Sequence, residues 1–198
     1  MRIITGDYRG RRLETPTGYE VRPTTDKVKE AIFNLLMNDI WDSVVVDLFS
    51  GTGNLGLEAL SRGAKRCYFC DCAKESLRLT GNNIAKCGAQ DKSIVIAGDY
   101  SKALSKIREK VQVFLLDPPY KEGLYEKCLA QIEELDLLDR DGVIIAEHGE
   151  RDFVPEQVGM LVKVREKKYG KIKVSIYRHR EDESESSPQI PVPESEEA

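Results

Sequence analysis

The sequence predicts an α/β fold, namely a mostly parallel seven-stranded sheet with helices on both faces, a terminal antiparallel hairpin and an N-terminal β extension. Three observations support this prediction. Short apolar runs rich in β-branched residues alternate with segments of helical periodicity. A glycine-rich turn follows the first of these runs and leads into a helical segment. Carboxylates follow the runs, where ligands of open α/β sheets bind.

The elements follow one another along the chain. Residues 1–21 have the pattern of short strands, and residues 23–26 cap a helix that extends to about Met37. Strands and helices then alternate, and Tyr169-Gly170 joins the last two strands as a hairpin. The predicted strands are 44–48, 67–71, 93–97, 111–116, 143–147, 160–168 and 172–178, and the later helices are 54–62, 74–87, 100–109 and 122–135.

Length and composition narrow the class of protein. The chain has 198 residues, 40% of them hydrophobic, which suffices for one good core. It contains no run near the roughly 18 apolar residues that cross a membrane, and its first residues lack a signal peptide's apolar segment. Five cysteines, an odd number, favour a reducing cytoplasm. Because Cys67, Cys70 and Cys72 straddle a strand with no histidine nearby, we expect core residues there and no metal.

The charge is unevenly distributed. Residues 181–198 hold seven acids and no Lys or Arg, which predicts a disordered acidic tail. The rest of the chain carries 27 acids against 30 bases. One basic group lies near the C-terminal end, at 163–173, and another lies in residues 1–29 among glycines and tyrosines. Such groups are often only solvated faces, but the glycines and tyrosines in residues 1–29 are also typical of a phosphate-binding hairpin. Its basic residues include Arg9, Arg11, Arg12, Arg22 and Lys27.

A carboxylate, two prolines and an aromatic ring follow the apolar run 111–116: Asp117-Pro118-Pro119-Tyr120. Two prolines cannot continue a sheet ladder, so the strand must end and turn there. Asp117 and a proline carbonyl can accept both hydrogens of a nucleobase amine, while Tyr120 stacks on the ring. An isolated motif of this kind is equally compatible with a plain surface turn, and it becomes specific only beside a cofactor site.

A glycine-rich turn upstream predicts such a cofactor site. The turn places Gly51, Gly53 and Gly56 after a strand and before a helix, where glycine allows close approach to a ligand. A nicotinamide dinucleotide is the standard alternative for this spacing. Asp47 and Glu58, however, would put negative charge where a pyrophosphate binds, and they favour a cofactor with a cationic amine such as S-adenosylmethionine. We assign Phe49 to the same site.

Acids at the ends of the next two strands extend the predicted cofactor site along the edge of the sheet. Asp71 lies twenty residues after Gly51, the usual spacing for a carboxylate that binds ribose hydroxyls. Asp99 follows the next strand and could accept a hydrogen bond from an adenine amine. Each acid alone is more often a solvated strand end, but acids in register at successive strand ends indicate a ligand crevice.

These motifs resemble the small-subunit ribosomal RNA guanine-N2 methyltransferases of the RsmD type. The resemblance covers residues 1 to about 180 and rests on Ile4-Thr5-Gly6, Arg9-Gly10-Arg11, segment 22–30 with Phe33-Asn34, segment 47–64, and Asp117-Pro118-Pro119-Tyr120. It implies a Rossmann-like class I methyltransferase domain over residues 23–180, preceded by an RNA-binding hairpin over residues 1–22. The family often has an acid where Cys70 stands, which leaves the ribose position open between Cys70 and Asp71.

The resemblance implies transfer of a methyl group from S-adenosylmethionine to the exocyclic N2 of one guanine, held by Asp117 and the Pro118 carbonyl. Small-subunit ribosomal RNA, free or in an assembling particle, is the expected partner of a cytoplasmic monomer. Three alternatives remain: methylation of adenine N6 or another nucleic-acid amine, a nicotinamide oxidoreductase, and a non-catalytic RNA-binding module.

Overall fold

The computed structural model describes residues 1–16, 26–119 and 123–180. The segments 17–25, 120–122 and 181–198 lie outside the described residues, and so do the predicted acidic tail, Arg22 and Tyr120. The described helices are α1 (Asp26–Leu35), α2 (Asn54–Ser61), α3 (Lys74–Cys87), α4 (Tyr100–Leu104) and α5 (Leu124–Glu134). The strands are β1 (Val44–Asp47), β2 (Arg66–Asp71), β3 (Ser93–Ala97), β4 (Val111–Leu116), β5 (Leu138–Gly149), β6 (Gln157–Val158), β7 (Leu161–Tyr169) and β8 (Ile172–His179).

One sheet organises the described residues, with strand order β3-β2-β1-β4-β5-β8-β7-β6. The first five strands in this order are parallel, and β8, β7 and β6 continue the sheet in antiparallel pairing. The mostly parallel sheet and the terminal hairpin are therefore confirmed. The sheet has eight strands rather than the predicted seven, because a two-residue strand, β6, pairs with the outer side of β7.

Successive strand residues face opposite sides of the sheet, which produces two cores. On β1, Val45 packs with the side chains of α1, α2 and α3, whereas Val44 and Val46 pack with those of α4 and α5. Helices thus cover both faces of the sheet, as predicted. None of the helices among the described residues is both long and apolar enough to span a bilayer.

Two elements differ from their predicted bounds by more than two residues. Helix α4 ends at Leu104 instead of about residue 109, because Lys106 and Ile107 donate to carbonyls three residues earlier and the chain tightens. Strand β5 begins at Leu138, well before the predicted residue 143, since Leu138 pairs with Val111 across a register shift.

The N-terminal segment packs against the core that contains α1, α2 and α3. Arg2 and Arg12 form an antiparallel bridge, and the Ile3 amide donates to the Arg11 carbonyl at 3.0 Å. The side chains of Ile3 and Leu13 belong to the same core as α1, α2 and α3. The backbone at Gly6 lies against the Ser61 carbonyl of α2, and the Asp7 amide donates to that oxygen at 2.9 Å. This close approach explains the glycine at position 6.

We expect Gly6→Ala to destabilise the protein far more than Gly10→Ala. Both glycines have positive φ, +87° and +81°, so each substitution carries a backbone penalty of about 1–2 kcal/mol. A Cβ at Gly6 would also fall 1.7 Å from the Ser61 oxygen, whereas a Cβ at Gly10 meets nothing within 4 Å. Urea unfolding of both variants measures the difference, and equal losses would contradict the Gly6–Ser61 contact.

Candidate active site

A cavity of about 190 Å³ lies at the carboxyl ends of β1 and β4. It joins the glycine-rich turn after β1 with the turn after β4, so that Asp47 and Asp117 share one cavity although they are far apart in the chain. Its lining residues are Met1, Pro16, Asp47, Phe49, Ser50, Gly51, Thr52, Asn54, Leu55, Glu75, Ser76, Leu79 and Asp117.

The three glycines of the turn have three different roles. Gly51 lines the cavity with φ +53°, and its amide donates to Asp71 Oδ2 at 2.9 Å. Gly53, with φ +77°, is the N-cap of α2. Gly56 lets α2 approach the sheet, because a Cβ there would lie 2.4 Å from the Phe69 ring. Of these glycines only Gly51 lines the cavity, and the other two shape the turn.

Asp47 is a buried carboxylate that borders the cavity. It is 2% exposed, and its Oδ2 accepts the Gly56 amide at 2.9 Å. Its Oδ1 has no hydrogen-bond partner among the described residues. Burial raises the pKa of Asp47 from 3.8 to about 7, the Gly56 amide lowers it, and nearby Asp71 raises it further. A carboxylate in this state would gain from a cationic partner in the cavity.

Asp71 is the last residue of β2 and Asp99 follows β3, at the edge of the sheet where the parallel strands have their carboxyl ends, called the crevice edge below. Neither acid lines the cavity. Asp71 accepts the amides of Gly51 and Ala73, both at 2.9 Å, so it holds the glycine-rich turn in place. Asp99 is exposed and caps α4 by accepting the Lys102 amide at 2.8 Å. The other candidate for the ribose position, Cys70, is 1% exposed, and burial raises the pKa of its thiol to about 12. The ribose and adenine roles of these residues stay predictions.

Glu58 does not belong to the cavity, which corrects the sequence-based assignment. Its side chain is fully buried, and its carboxylate accepts the amides of Ile4 and Thr5 at 2.8 and 3.1 Å. It also pairs with Lys29 Nζ at 3.0 Å and with Arg62 Nε at 2.9 Å. With four donors on two oxygens, this carboxylate binds the N-terminal segment to α1 and α2 and has no capacity left for a cofactor amine.

The turn after β4 places its residues differently. Asp117 borders the cavity and is exposed, Pro118 is buried, and Pro119 is exposed. Tyr120 lies outside the described residues. Asp117 directly follows Leu116, which pairs with Ala146, three residues before β5 ends at Gly149.

None of the described basic residues that were predicted to bind RNA lines the cavity. Arg9, Arg11 and Arg12 are exposed, and so is Lys27 on α1. Arg11 stacks on Tyr8 at 5.3 Å and donates to the Lys86 carbonyl, near the end of α3. Because α3 begins at the crevice edge and rises about 1.5 Å per residue, this end of α3 lies roughly 18 Å from its start. RNA contacts by these residues stay a prediction, and Arg11 would engage RNA away from the cavity.

The sequence analysis did not identify Asn83, which joins the N-terminal segment to the glycine-rich turn. Asn83 is fully buried; its Oδ1 accepts the Glu14 amide at 2.7 Å, and its Nδ2 donates to the carbonyls of Glu14 and Thr52 at 3.0 and 2.9 Å. An asparagine on the apolar face of α3, between Leu79 and Cys87, was the available signal, because asparagine is a weak helix former. Met1, Pro16, Glu75 and Ser76 also line the cavity without a recognisable motif.

Other features of the described residues do not suggest a second catalytic centre. Within them, no group of three or more His, Cys, Asp or Glu side chains is arranged to hold a metal. Cys67 and Cys70 face opposite cores of the sheet, and Cys72 is exposed. A cavity of about 320 Å³ lies near the amino end of β4, between residues 104–110 and 135–137, and contains none of the predicted site residues.

Comparison with known proteins identifies the family of this chain. The family model described as "Conserved hypothetical protein 95" matches residues 1–178. The Ribosomal RNA small subunit methyltransferase D of Escherichia coli (strain K12) is 33% identical over 189 residues, covering 94% of this chain and 93% of that protein. YlbH of Bacillus subtilis (strain 168) is 39% identical over 183 residues, covering 91% of this chain and 100% of that protein.

A solved structure, yhhF from Escherichia coli, superposes with a TM-score of 0.81 at 30% identity and covers 90% of this chain and 97% of its own. The sheet described above is accordingly that of the class I methyltransferases. Both the family model and these relatives span nearly the whole chain. The protein therefore belongs to the Conserved hypothetical protein 95 family, which includes the ribosomal RNA small subunit methyltransferase D proteins.

Proposed function

We propose that the protein transfers a methyl group from S-adenosylmethionine to the exocyclic N2 of one guanine in small-subunit ribosomal RNA. The single observation that carries this proposal is the shared cavity of Asp47 and Asp117. On this proposal, Asp47 binds the cationic amine of the cofactor and Asp117 binds the amine of the base. The name of the Escherichia coli relative, a ribosomal RNA small subunit methyltransferase, supports ribosomal RNA as the substrate.

The cavity suits an amine-bearing cofactor better than a dinucleotide. The amides of Gly51 and Gly56, which a pyrophosphate would need, already donate to the carboxylates of Asp71 and Asp47. The Asp47 oxygen without a hydrogen-bond partner adds negative charge beside the cavity. These contacts argue against the nicotinamide alternative, because a pyrophosphate would be repelled there.

The roles of the residues follow from their positions. When bound, S-adenosylmethionine supplies an electrophilic methyl group. Asp47 would pair with its amino group, and Gly51 and Phe49 would line its binding site. Asp117 and the Pro118 carbonyl would accept the two hydrogens of the guanine amine and so turn its lone pair toward the methyl group. Such positioning can supply several kcal/mol of the rate acceleration, and Asp117 can accept the proton released.

The decisive experiment is incubation of the full chain with isotopically labelled S-adenosylmethionine and small-subunit ribosomal RNA, free or in ribosomal particles. Nucleoside mass analysis would then identify the product. N2-methylguanosine supports the proposal, whereas N6-methyladenosine would assign the chain to a related class of amino-methyltransferases. Binding of a nicotinamide dinucleotide in place of S-adenosylhomocysteine would overturn both.

We expect Asp117→Ala to reduce methyl transfer by about two to four orders of magnitude, because the amine loses its acceptor. Cofactor binding should persist, since Asp47 and the glycine-rich turn are untouched. Single-turnover rates and calorimetry with S-adenosylhomocysteine measure the two effects. Asp91→Ala, an exposed acid before β3, is the control. A variant that loses cofactor binding while folded would contradict the assigned role of Asp117.

We expect Asp47→Asn to weaken cofactor binding and yet stabilise the fold. Folding raises the pKa of Asp47 from 3.8 to about 7, so wild-type stability falls as the pH rises between those values. The variant's gain in unfolding free energy over the wild type should therefore grow as the pH rises above about 4, and it should become constant above about pH 7. Wild-type affinity for S-adenosylhomocysteine should decrease as pH falls from 7 to 5.5, because a protonated carboxyl cannot pair with an ammonium group.

Urea unfolding and calorimetry across this pH range measure both effects of Asp47→Asn. The variant's affinity should be low and nearly independent of pH over the same range. Wild-type affinity in the variant would remove Asp47 from the cofactor site.

We expect Asn83→Ala to weaken cofactor binding although Asn83 is not among the residues that line the cavity. The substitution leaves the Glu14 amide and two carbonyls without their partner, at a cost of about 1–3 kcal/mol per group. It also removes the hydrogen bonds that hold Glu14, two residues before Pro16, which lines the cavity. The neighbouring Asn82→Ala, which removes one exposed contact to Glu14, is the matched control. Calorimetry on folded samples with equal affinity for both variants would contradict this role.

A further inference from the structure

A second surface lies at the crevice edge, at the carboxyl end of β5 and the start of β8. It consists of the turn after β5, with Arg151 and Phe153, and the tip of the β7–β8 hairpin, with Lys168 and Lys171. We propose that this crevice-edge surface binds the single-stranded RNA that flanks the target base, with Phe153 as a stacking platform. The inference rests on the proposed function, which it deepens by naming where the substrate strand runs.

Sheet topology places this surface near the turn after β4, which contains Asp117. Strand β8 is antiparallel to β5, so the start of β8 lies at the carboxyl end of β5. Ile172 pairs with Gly149, and the Glu150 amide donates to the Lys171 carbonyl at 3.0 Å. Leu116 of β4, directly before Asp117, pairs with Ala146. With strands about 4.8 Å apart and about 3.3 Å per residue, Gly149 lies on the order of 10 Å from the end of β4.

Phe153 is held in an exposed position by its neighbours. Its side chain is 69% exposed, an unusual state for a phenylalanine. The preceding turn is fixed, since the Gly149 amide donates to Asp152 Oδ2 at 2.6 Å and the Asp152 amide donates to the Gly149 carbonyl at 3.1 Å. After it, Val154 is buried in the core, and the Pro155 carbonyl accepts the Tyr177 hydroxyl. A rigid exposed ring loses little entropy when a base stacks on it.

Charge around Phe153 favours a polyanion. Arg151, Lys168 and Lys171 are exposed. Lys168 pairs with Glu150, whereas Arg151 and Lys171 have no ion pair within the described part of the chain. An aromatic ring among cations is the usual arrangement for single-stranded nucleic acid, because bases stack while the cations neutralise phosphates. Arg11, which donates to the Lys86 carbonyl near the far end of α3, is too distant to hold these nucleotides.

Phe153→Ala tests the stacking. With a fluorescein-labelled single-stranded RNA of about a dozen nucleotides, we expect its affinity to fall about tenfold, and Phe153→Trp to restore it. Trp41→Ala is the matched control, because Trp41 is 81% exposed and precedes β1 at the opposite edge of the sheet. Affinity for S-adenosylhomocysteine should be unchanged in all three variants, which shows that the cofactor site is intact.

The salt dependence of the same RNA binding tests the cations. Lys171→Gln and Arg151→Gln should each reduce the slope of log affinity against log salt concentration by about 0.7. Lys65→Gln, an exposed lysine just before β2, should leave the slope unchanged.

Two results are distinguishable from each other. If the wild type binds the RNA and methylates ribosomal RNA, but Phe153→Ala and Lys171→Gln behave like their controls, the crevice-edge surface is not an RNA site. If the wild type neither binds RNA nor transfers a methyl group to it, the proposed function itself fails.

Discussion

The buried carboxylate of Glu58 is the constraint on which the arrangement of the site depends. It accepts two backbone amides of the N-terminal segment and pairs with Lys29 and Arg62. Lys29 uses its remaining hydrogens on the Arg2 carbonyl at 2.6 Å and on Asn54 Oδ1 at 2.7 Å, at the start of α2. Removing one partner of such a buried pair leaves an uncompensated charge, which typically costs 3–5 kcal/mol. One cluster of buried polar groups therefore fixes the N-terminal segment, α1 and the glycine-rich turn together.

The contrast between Glu58 and Asp47 separates an acid whose hydrogen bonds are complete from one whose hydrogen bonds are incomplete. Both are buried beside the glycine-rich turn, but Glu58 has four donors and Asp47 has a single amide. A buried carboxylate with incomplete partners is expensive unless a ligand completes them. That cost is visible in the pKa of Asp47, which burial raises to about 7, and it is the kind of perturbation that functional sites concentrate.

The sequence was sufficient for the sheet and for the meeting of the two turns, because strand periodicity and parallel connections place strand ends at one edge. It could not separate Glu58 from Asp47, since the difference lies in which side of α2 contacts the N-terminal segment, a tertiary contact. All eight residues of α2 are buried, so the helix has no solvent face that periodicity could reveal. The role of Asn83 was hidden for the same reason, because its partners Glu14 and Thr52 lie far away in sequence.

The packing of residues 1–16 has a consequence for recognition. Ile3 and Leu13 are buried in the core that contains α1, α2 and α3. The segment therefore cannot move toward a ligand unless this core partly unfolds. On the proposed function, the protein acts as a stiff template, and the conformational adjustment falls on the nucleic acid. Such a template discriminates by the energy needed to expose a base, and it favours a nucleotide that its own surroundings already leave unpaired.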